Sequence, residues 1–286
     1  MRLALFDDYR LGIVDGDRVR DVTAALPYPH DPDPLTAGWW RALCRDFADL
    51  SATLAGADGP EHALADVRLR APVLNPSKII AAASNYAEHV AEMHGVQERT
   101  LGAVEAWMMS FDVFLKATSS IAGPGEDIVL PAAVVAAGHE IHHESELVVV
   151  IGTGGRDIPV ETALEHVFGY TVGLDITVRS PADRSRRKSY DTFSPLGPWV
   201  STTADVPDPQ ALTIDLTVNG ATRQHVHTAD MLTGVAEIVA YASACMTLLP
   251  GDVVFTGAPP GVGPIAAGDD LRATISGLGE LHSRVR

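Results

Sequence analysis

The chain has very little cysteine. Of its 286 residues only Cys44 and Cys245 are cysteines, and they lie far apart outside any CxxC pair. This spacing excludes a disulfide framework and a zinc site built from thiolates. We therefore expect both cysteines to pack as small apolar side chains, Cys245 on a helix, in a protein of the reducing cytoplasm.

The chain also has few basic residues and no long apolar run. It carries 21 Lys and Arg against 37 Asp and Glu, a formal net charge of −16. Such a chain repels a phosphate backbone, so nucleic acid is a poor partner. Its apolar stretches end well short of a membrane span, and its N-terminus turns acidic at once, unlike a signal peptide. We expect no nucleic acid and no membrane among its partners.

The remaining composition is that of a globular protein with a sizeable core. Hydrophobic residues make up 46% and charged residues 20% of the chain. Short β-forming runs and the Asp15-Gly16-Asp17 turn signal open the sequence, and the two prolines of LRAPVLNPSK indicate a boundary. We expect a small β-rich N-terminal domain over residues 1–71. The domain over residues 72–286 should be mainly β with a few helices. We expect one helix from about Ala87 to His94, followed by an irregular loop over residues 95–110, another helix that begins at Pro159 and stops at Gly169, and then a strand over residues 170–178.

The strongest chemical signal is the segment HHESELVVVIG, residues 142–152. Side chains alternate between the two faces of a strand, so Glu144 and Glu146 share a face, and His142 joins them if the strand begins there. Burying two carboxylates side by side is costly without a compensating cation. A third acid, Asp175, interrupts the β-forming run YTVGLDITV, where aspartate is uncommon.

Three carboxylates in such surroundings suit a hard divalent cation, Mg²⁺ or Mn²⁺. Two other interpretations stay open. The acids can lie on solvent-exposed faces, as an isolated Glu-x-Glu usually does. A zinc site that includes His142 or His143 is the other, although ligation dominated by carboxylates disfavours it.

Six segments, taken together and in this order, resemble the fumarylacetoacetate hydrolase superfamily. They are KIIAAASNYAEHVAEM, FLKATSSIAGPGEDIVLP, HHESELVVVIG, YTVGLDITVR, KSYDTFSPLGPWV and GDVVFTGAPPGVG. The resemblance covers roughly residues 72–282 and implies a mixed β-roll with the active site in its mouth. The N-terminal segment resembles the small extra domain of many bacterial members. The motifs are closest to the branch of acylpyruvate hydrolases and 2-hydroxyhepta-2,4-diene-1,7-dioate isomerases, and the fourth acidic ligand that some members use upstream has no clear equivalent.

The resemblance assigns the metal ligands and a catalytic pair. It implies that Glu144, Glu146 and Asp175 hold the metal. In NYAEHVAEM it implies that His89 and Glu92 form the catalytic dyad of a helical lid. Their i, i+3 spacing places them on one helical face, where Glu92 can fix the tautomer of His89. Without the resemblance, a hydrogen-bonded surface pair is the plainer interpretation.

The resemblance also implies a catalytic lysine and a set of substrate contacts. Lys188 would stabilise an oxyanion, or else it is a surface lysine in a basic loop with Arg184, Arg186 and Arg187. The implied substrate-binding residues are Lys116, Gln224, Thr256 and Gly257. Lys116 can instead form a structural ion pair, Gln224 can be an exposed strand residue, and the glycine-rich loop TGAPPGVG, residues 256–263, can be a plain turn. Ala258 stands where many members have threonine, which removes a hydroxyl from the expected carboxylate contact.

The implied activity is the metal-dependent hydrolysis of a carbon–carbon bond in a small acylpyruvate-like β-diketo (2-oxo) acid, through an enolate held at the metal. The superfamily also contains isomerases and decarboxylases, so action on oxaloacetate or on a 2-hydroxyhepta-2,4-diene-1,7-dioate type of acid stays open. A non-catalytic protein that binds a metal or a 2-oxo acid is the third possibility. The resemblance further suggests a homodimer with a role in aromatic catabolism.

Overall fold

A computed structural model of the chain describes residues 1–101, 104 and 109–286. The helices are α1 (Gly38–Gly56), α2 (Ala87–Leu101), α3 (Ala132–Ala136), α4 (Arg184–Lys188) and α5 (Val235–Cys245). The strands are β1 (Arg2–Phe6), β2 (Arg10–Asp15), β3 (Arg18–Asp21), β4 (Glu61–Ala63), β5 (Ile79–Ala83), β6 (Asp112–Lys116), β7 (Ile121–Ala122), β8 (Ile141–His143), β9 (Ser145–Ile151), β10 (Val167–Leu174), β11 (Thr177–Val178), β12 (Ser194–Thr202), β13 (Thr213–Val218), β14 (Ala221–His227), β15 (Val253–Phe255), β16 (Gly263–Pro264), β17 (Asp270–Ile275) and β18 (Gly279–Arg284). Among the described helices, none has the length and apolar character needed to cross a bilayer.

The strands form one large and two small sheets. The large sheet has the order β4-β3-β2-β1-β12-β10-β9-β15-β5-β6, with β7 paired beside β12. Its pairs are antiparallel except β15 with β5 and β12 with β7. The small sheets have the orders β11-β8-β16 and β14-β13-β17-β18. The predicted architecture, mainly β with a few helices, is confirmed.

The N-terminal strands extend the large sheet. The pair β1 and β12 aligns Leu3 with Val200, so the first strand hydrogen-bonds to a strand from the C-terminal part of the chain. The hairpin predicted at Asp15-Gly16-Asp17 is present between β2 and β3, with Gly16 at φ +57°. The boundary between residues 71 and 72 stays a prediction.

Two hydrophobic cores cover the two faces of the central strand β9. Leu147, Val149 and Ile151 belong to one core, whereas Val148 and Val150 belong to the other, which α1 covers. A strand that is buried on both faces carries a continuous apolar run rather than an alternating one. This explains the run Leu-Val-Val-Val-Ile that follows the two glutamates.

The helix predicted from Pro159 to Gly169 is wrong. A 3-10 helix over Val160–His166 is followed directly by β10, which contains Gly169. A Cβ at Gly169 would lie 2.4 Å from the carbonyl oxygen of Ser201, so this glycine permits close strand packing and ends no helix. The strand predicted over residues 170–178 is divided into β10 and β11.

The helix predicted after Ala87 is longer than expected. It continues to Leu101 rather than ending near His94, so residues 95–101 are helical. Of the irregular loop predicted over residues 95–110, positions 102, 103 and 105–108 lie outside the described residues. Of the two cysteines, which are both free thiols, Cys44 is buried in α1, while Cys245 is exposed at the end of α5.

Candidate active site

The three predicted carboxylates meet at the end of one strand pair. Glu144 lies between β8 and β9, Glu146 lies in β9, and Asp175 follows β10. The β9–β10 register aligns Glu146 with Gly173, and the amide of Asp175 donates to the carbonyl of Glu144 at 2.8 Å. One ligand oxygen from each acid lies within 4.8 Å of the others, and the residues are only 3%, 1% and 1% exposed. Their burial excludes the interpretation with acids on solvent-exposed faces; we call the three the acidic triad.

Two members of the acidic triad have basic partners. Lys188 Nζ donates to Glu144 Oε2 at 2.6 Å and to Asp175 Oδ2 at 2.5 Å. Lys116 Nζ donates to Asp175 Oδ1, and Arg179 Nη2 donates to Glu144 Oε1, both at 2.6 Å. Burial acts to raise the pKa of Glu144, but Lys188 and Arg179 outweigh it, so this pKa lies well below its usual value.

Glu146 is the member without a basic partner. Its Oε2 accepts a hydrogen bond from the amide of Gly257 at 2.6 Å, and among the described residues no basic side chain forms an ion pair with it. Burial raises the pKa of Glu146 well above its usual value, and the charge of Asp175 raises it further. Since an ionised carboxylate is costly in such a place, a cation shared by the triad would supply the missing charge.

The chemistry of the donor set fits a hard divalent cation. Carboxylate oxygens are the ligands that Mg²⁺ and Mn²⁺ prefer. Neither His142 nor His143 belongs to the acidic triad, and His142 Nε2 lies 2.9 Å from Glu140 Oε2 instead. The geometry therefore offers no imidazole of these two to a zinc ion, and the role of the three acids as metal ligands stays a prediction.

The predicted dyad lies on α2, beside the acidic triad. His89 is buried, and its Nδ1 lies 3.4 Å from Glu92 Oε2, which also accepts from the amide of Gly261 at 3.2 Å. Glu92 thus connects the lid helix to the glycine-rich loop. Hydrogen bonds of this length are common at catalytic sites before substrate binds.

A buried asparagine fixes the start of the lid helix. Asn85 Nδ2 donates to the carbonyl oxygens of Thr256 at 2.7 Å and Thr233 at 2.9 Å, and Asn85 Oδ1 accepts from the amide of Thr233 at 2.7 Å. Ser84, just before it, has φ +58°, a backbone conformation that non-glycine residues rarely adopt. This anchor was missed in the sequence, where Asn85 in SNY carries no signal beyond a turn-forming residue.

One cavity brings these groups together. It encloses about 530 Å³ of empty space including its open mouth. Glu144, Glu146, His89 and Lys188 line it, with Val90, Met93 and Phe114 among the apolar side chains of its wall. Arg179, Arg184, Arg187 and Ala258 also line it.

The predicted substrate-binding side chains are engaged by the protein itself. Gln224 Oε1 accepts from the amide of Ser145 at 2.9 Å, and its Nε2 donates to the carbonyl of Pro259 at 2.9 Å. Thr256 Oγ1 donates to the carbonyl of Leu147 at 2.9 Å. These bonds hold the glycine-rich loop against β9. Gly257 and Lys116 are likewise bonded to the triad, and contact of all four with a substrate stays a prediction.

The arginines of the cavity were missed as functional residues. The spacing of two that relates Glu144 to Glu146 also relates Asp175, Thr177 and Arg179. Thr177 Oγ1 accepts from Lys188 at 2.6 Å, and Arg179 donates to Glu144, so residues at this spacing from Asp175 do reach the site. The spacing was therefore the available sequence signal for Arg179. The predicted basic loop around Lys188 is the short helix α4.

Comparisons with known proteins identify the family of this chain. Residues 78–286 match the fumarylacetoacetate (FAA) hydrolase C-terminal family. The chain belongs to the fumarylacetoacetate hydrolase family. This confirms the predicted superfamily and the predicted class of enzyme.

Several relatives within the fumarylacetoacetate hydrolase family cover the whole chain. A maleylpyruvate hydrolase of Aquipseudomonas alcaligenes is 41% identical over 291 residues, which cover 100% of this chain and 99% of that protein. The crystal structure of maleylpyruvate hydrolase from Sphingobium sp. SYK-6 in complex with manganese(II) ion and pyruvate has a TM-score of 0.84 at 40% identity, covering 100% of this chain and 98% of that one. A 2-hydroxyhepta-2,4-diene-1,7-dioate isomerase from Mycobacterium marinum has a TM-score of 0.73 at 33% identity, with coverage of 100% and 98%. The predicted fold of the fumarylacetoacetate hydrolase family is confirmed.

Proposed function

We propose that the chain is a divalent-metal-dependent hydrolase that cleaves a carbon–carbon bond of a small acylpyruvate-like β-diketo acid. The observation that carries this proposal is the single cavity that Glu144, Glu146, His89 and Lys188 line together. The two maleylpyruvate hydrolases support the same reaction class, and the manganese and pyruvate of one of them support Mn²⁺ or Mg²⁺ at the acidic triad. When bound there, the ion would act as a Lewis acid toward the carboxylate and 2-oxo oxygens of the substrate.

His89 is placed to activate water. Donation of its Nδ1–H to Glu92 leaves the lone pair of Nε2 to take a proton from water, and the negative charge of Glu92 stabilises the imidazolium that results. The water oxygen then adds to the acyl carbonyl carbon. The bond between this carbon and its pyruvate neighbour breaks, and the electron pair moves to the pyruvate carbon. Protonation of that carbon by the histidine gives pyruvate and a carboxylic acid, which balances the addition of one water.

Lys188 supplies positive charge at the wall of the cavity. Its ammonium donates to Glu144, Asp175 and Thr177, so it must release one of these bonds to donate to an oxyanion. The gain is greatest in a cavity from which water is excluded, because the charges are then poorly screened. The lid helix α2, held to the glycine-rich loop through Glu92, would provide that exclusion.

An isomerase is the second candidate. It is favoured by the 2-hydroxyhepta-2,4-diene-1,7-dioate isomerase relative, whose fold and length match this chain. The same His89 would then move a proton along a 2-hydroxydienoic acid rather than activate water. Decarboxylation of oxaloacetate is tested by the same assay.

The decisive assay uses the purified chain with Mn²⁺ or Mg²⁺ and three substrate classes: acylpyruvates, oxaloacetate and 2-hydroxydienoic diacids. We expect turnover of acylpyruvates with stoichiometric release of pyruvate. Turnover of a diene or of oxaloacetate alone would replace the hydrolase by the isomerase or the decarboxylase. The variant His89→Gln should lose about 10²- to 10⁴-fold in kcat, and its affinity for Mn²⁺ should be retained.

The control is His94→Gln, because His94 is exposed on the same helix. It should have the activity of the unmodified protein. Full activity of His89→Gln would contradict the assignment of the base. Tight metal binding without turnover of any substrate class would favour a non-catalytic binding protein.

We further propose that the chain forms a cytoplasmic homodimer with a role in aromatic catabolism. The family resemblance supports the dimer and the role, and the scarcity of cysteine supports the compartment. Sedimentation equilibrium of the purified chain measures its oligomeric state. A mass of about 30 kDa rather than twice that value would contradict the dimer.

A further inference from the structure

One peptide group joins the buried side chain of Asn85 to the carboxylate of Glu146. Asn85 Nδ2 donates to the carbonyl oxygen of Thr256 at 2.7 Å, and the amide of Gly257 donates to Glu146 Oε2 at 2.6 Å. This carbonyl and this amide belong to the same planar peptide group, in which they point in opposite directions. The two hydrogen bonds therefore form a chain that runs from Asn85 through the peptide group to Glu146.

The hydrogen-bonding capacity of the Asn85 side chain is fully used. Its Nδ2 also donates to the carbonyl oxygen of Thr233 at 2.9 Å, and its Oδ1 accepts from the amide of Thr233 at 2.7 Å. Two carbonyl oxygens thus face the NH₂ group and one N–H faces the oxygen, which fixes the end of the side-chain amide that points to Thr256. The residue is 0% exposed, so water does not replace these bonds when the side chain is removed.

The glycine at position 257 suits this junction in two ways. The φ of Gly257 is +100°, a backbone conformation that glycine adopts without strain. A Cβ at this position would also lie 2.7 Å from the Cβ of Asn85. The glycine therefore allows the amide to turn toward Glu146 while the peptide group approaches Asn85 closely.

Glu146 depends on this chain more than the other two acids of the triad do. Short ion pairs with lysine and arginine side chains orient Glu144 and Asp175. Within the part of the chain that the structure describes, the hydrogen bond to the Glu146 carboxylate comes from the amide of Gly257 alone. Buried hydrogen bonds in a chain polarise one another, so a donor on the carbonyl side of a peptide group strengthens the bond on its N–H side. Asn85 therefore strengthens the one bond that orients Glu146.

We propose that Asn85 is a positioning residue for the metal: through the peptide group of residues 256–257 it orients the carboxylate of Glu146 toward the divalent ion. This rests on the proposed function in taking the acidic triad as the site of that ion. Asn85 is not among the residues that line the cavity, so it acts through Glu146 and touches neither the ion nor the substrate. Hydrogen-bond partners of this kind hold a metal ligand in its orientation, and their loss weakens metal affinity by about 10- to 100-fold.

The test measures the affinity for Mn²⁺, which requires no turnover. Electron paramagnetic resonance of free Mn²⁺ gives the dissociation constant of the full-length protein, at a temperature well below the Tm of each variant in EDTA. Asn85→Ala should raise this constant by about 10- to 100-fold. An unchanged constant overturns the proposal, because a side chain that only anchors the lid helix leaves the metal ligand in place.

The matched control is Gln210→Ala. The side-chain amide of Gln210 donates to the carbonyl oxygen of Thr228 at 2.7 Å and accepts from the amide of Val235 at 2.9 Å. It fastens the segment before α5, as Asn85 does, but it forms no hydrogen bond with the peptide group of residues 256–257. Gln210→Ala should leave the dissociation constant of Mn²⁺ unchanged. An equal loss of affinity in both variants overturns the proposal, since it reflects a general loosening of this segment.

A measurement on the unmodified protein applies even if Asn85→Ala does not fold. Heteronuclear NMR of the ¹⁵N-labelled chain follows the side-chain amide resonances of Asn85 and Gln210 during a titration with Mg²⁺, which is diamagnetic. An ion at Glu146 draws electron density from the carboxylate and weakens its hydrogen bond from Gly257, and the chain transmits this change to Asn85. The Asn85 resonances should shift until the site is saturated, while those of Gln210 stay in place. Asn85 resonances that do not respond to saturating Mg²⁺ overturn the proposal.

Failure of this proposal and failure of the proposed function are separate results. An affinity for Mn²⁺ that depends on Asn85 supports the positioning role even if no acylpyruvate is hydrolysed, and that lack of turnover overturns only the hydrolase. Hydrolysis of acylpyruvates by a protein whose affinity for Mn²⁺ is the same with and without the Asn85 side chain retains the hydrolase and overturns the positioning role.

Discussion

Replacing Glu146 by glutamine should stabilise the metal-free protein and abolish its stabilisation by a divalent ion. The carboxyl of Glu146 is 1% exposed, has no ion-pair partner among the described residues and lies beside two other carboxylates. Glutamine keeps the volume and keeps an oxygen that can accept from the amide of Gly257. The substitution therefore removes a buried negative charge and retains its hydrogen bond.

The pH dependence of this effect has a definite sign. The pKa of Glu146 is raised in the folded protein, so the folded state holds its proton to higher pH than the unfolded state, whose value is near 4.5. Its contribution to stability is then present below pH 4.5 and is lost as pH rises through the folded pKa. Within that window each pH unit changes the unfolding free energy by about 1.4 kcal/mol. The advantage of the glutamine variant in chelator should therefore be small at pH 4.5 and grow toward pH 8.

Metal binding should reverse the order of the two proteins. At a free ion concentration 100 times the dissociation constant, a ligand specific to the folded state stabilises it by about 2.7 kcal/mol. For a chain of this size that corresponds to roughly 5–10 °C in Tm. We expect this rise with Mn²⁺ in the unmodified protein and almost none in Glu146→Gln.

Thermal unfolding by differential scanning fluorimetry, in EDTA and in Mn²⁺ across pH 4.5–8, measures all of these effects. Glu165→Gln is the control, since it removes an exposed carboxylate and should leave the Tm unchanged both in EDTA and in Mn²⁺. A glutamine variant that is less stable than the unmodified protein in EDTA, or that gains as much from Mn²⁺, would refute the argument that Glu146 holds the uncompensated charge.

Two further predictions concern charges around the acidic triad. Lys116→Met leaves Asp175 with one buried partner fewer, and should lower the unfolding free energy by about 3–5 kcal/mol in urea with EDTA, and by less with Mn²⁺. An equal loss in both conditions would argue against an ion at Asp175. Glu140 accepts two hydrogen bonds from Arg99, at 2.5 and 3.0 Å, which hold the lid helix. Arg99, together with the hydrogen bond to His142, lowers the pKa of Glu140 to about 2. Since Glu140 is partly exposed, Glu140→Gln should speed amide hydrogen exchange in the second half of α2 only about two- to fivefold at pH 7. The difference in exchange rate should shrink as pH falls from 4.5 toward 2. Identical exchange in the variant and the unmodified protein at pH 7 would contradict the argument that the Arg99–Glu140 ion pair holds the helix.

Much of this site could be predicted from the sequence because its signals are local. The alternation of side chains along a strand predicts that Glu144 and Glu146 lie on the same face. Asp175 could be singled out because aspartate is uncommon inside a β-forming run. The i, i+3 spacing of His89 and Glu92 likewise depends only on the geometry of a helix. Strands and tight turns were predictable for the same reason, since alternation and glycine at positive φ act over a few residues.

The tertiary structure alone decided which charges are compensated. Lys116, Arg179 and Lys188 come from separate segments, and only the packed chain places them on Glu144 and Asp175 while leaving Glu146 without a cation. Gly169 was predicted to stop a helix, but a glycine is required there because β12 packs too closely for a Cβ atom. The arginines of α4 give a second example. Their sequence does not tell whether they lie in a solvated loop or line a cavity, because that depends on what packs against them. Ion pairing and close packing depend on distances between residues far apart in sequence, and local patterns do not contain those distances.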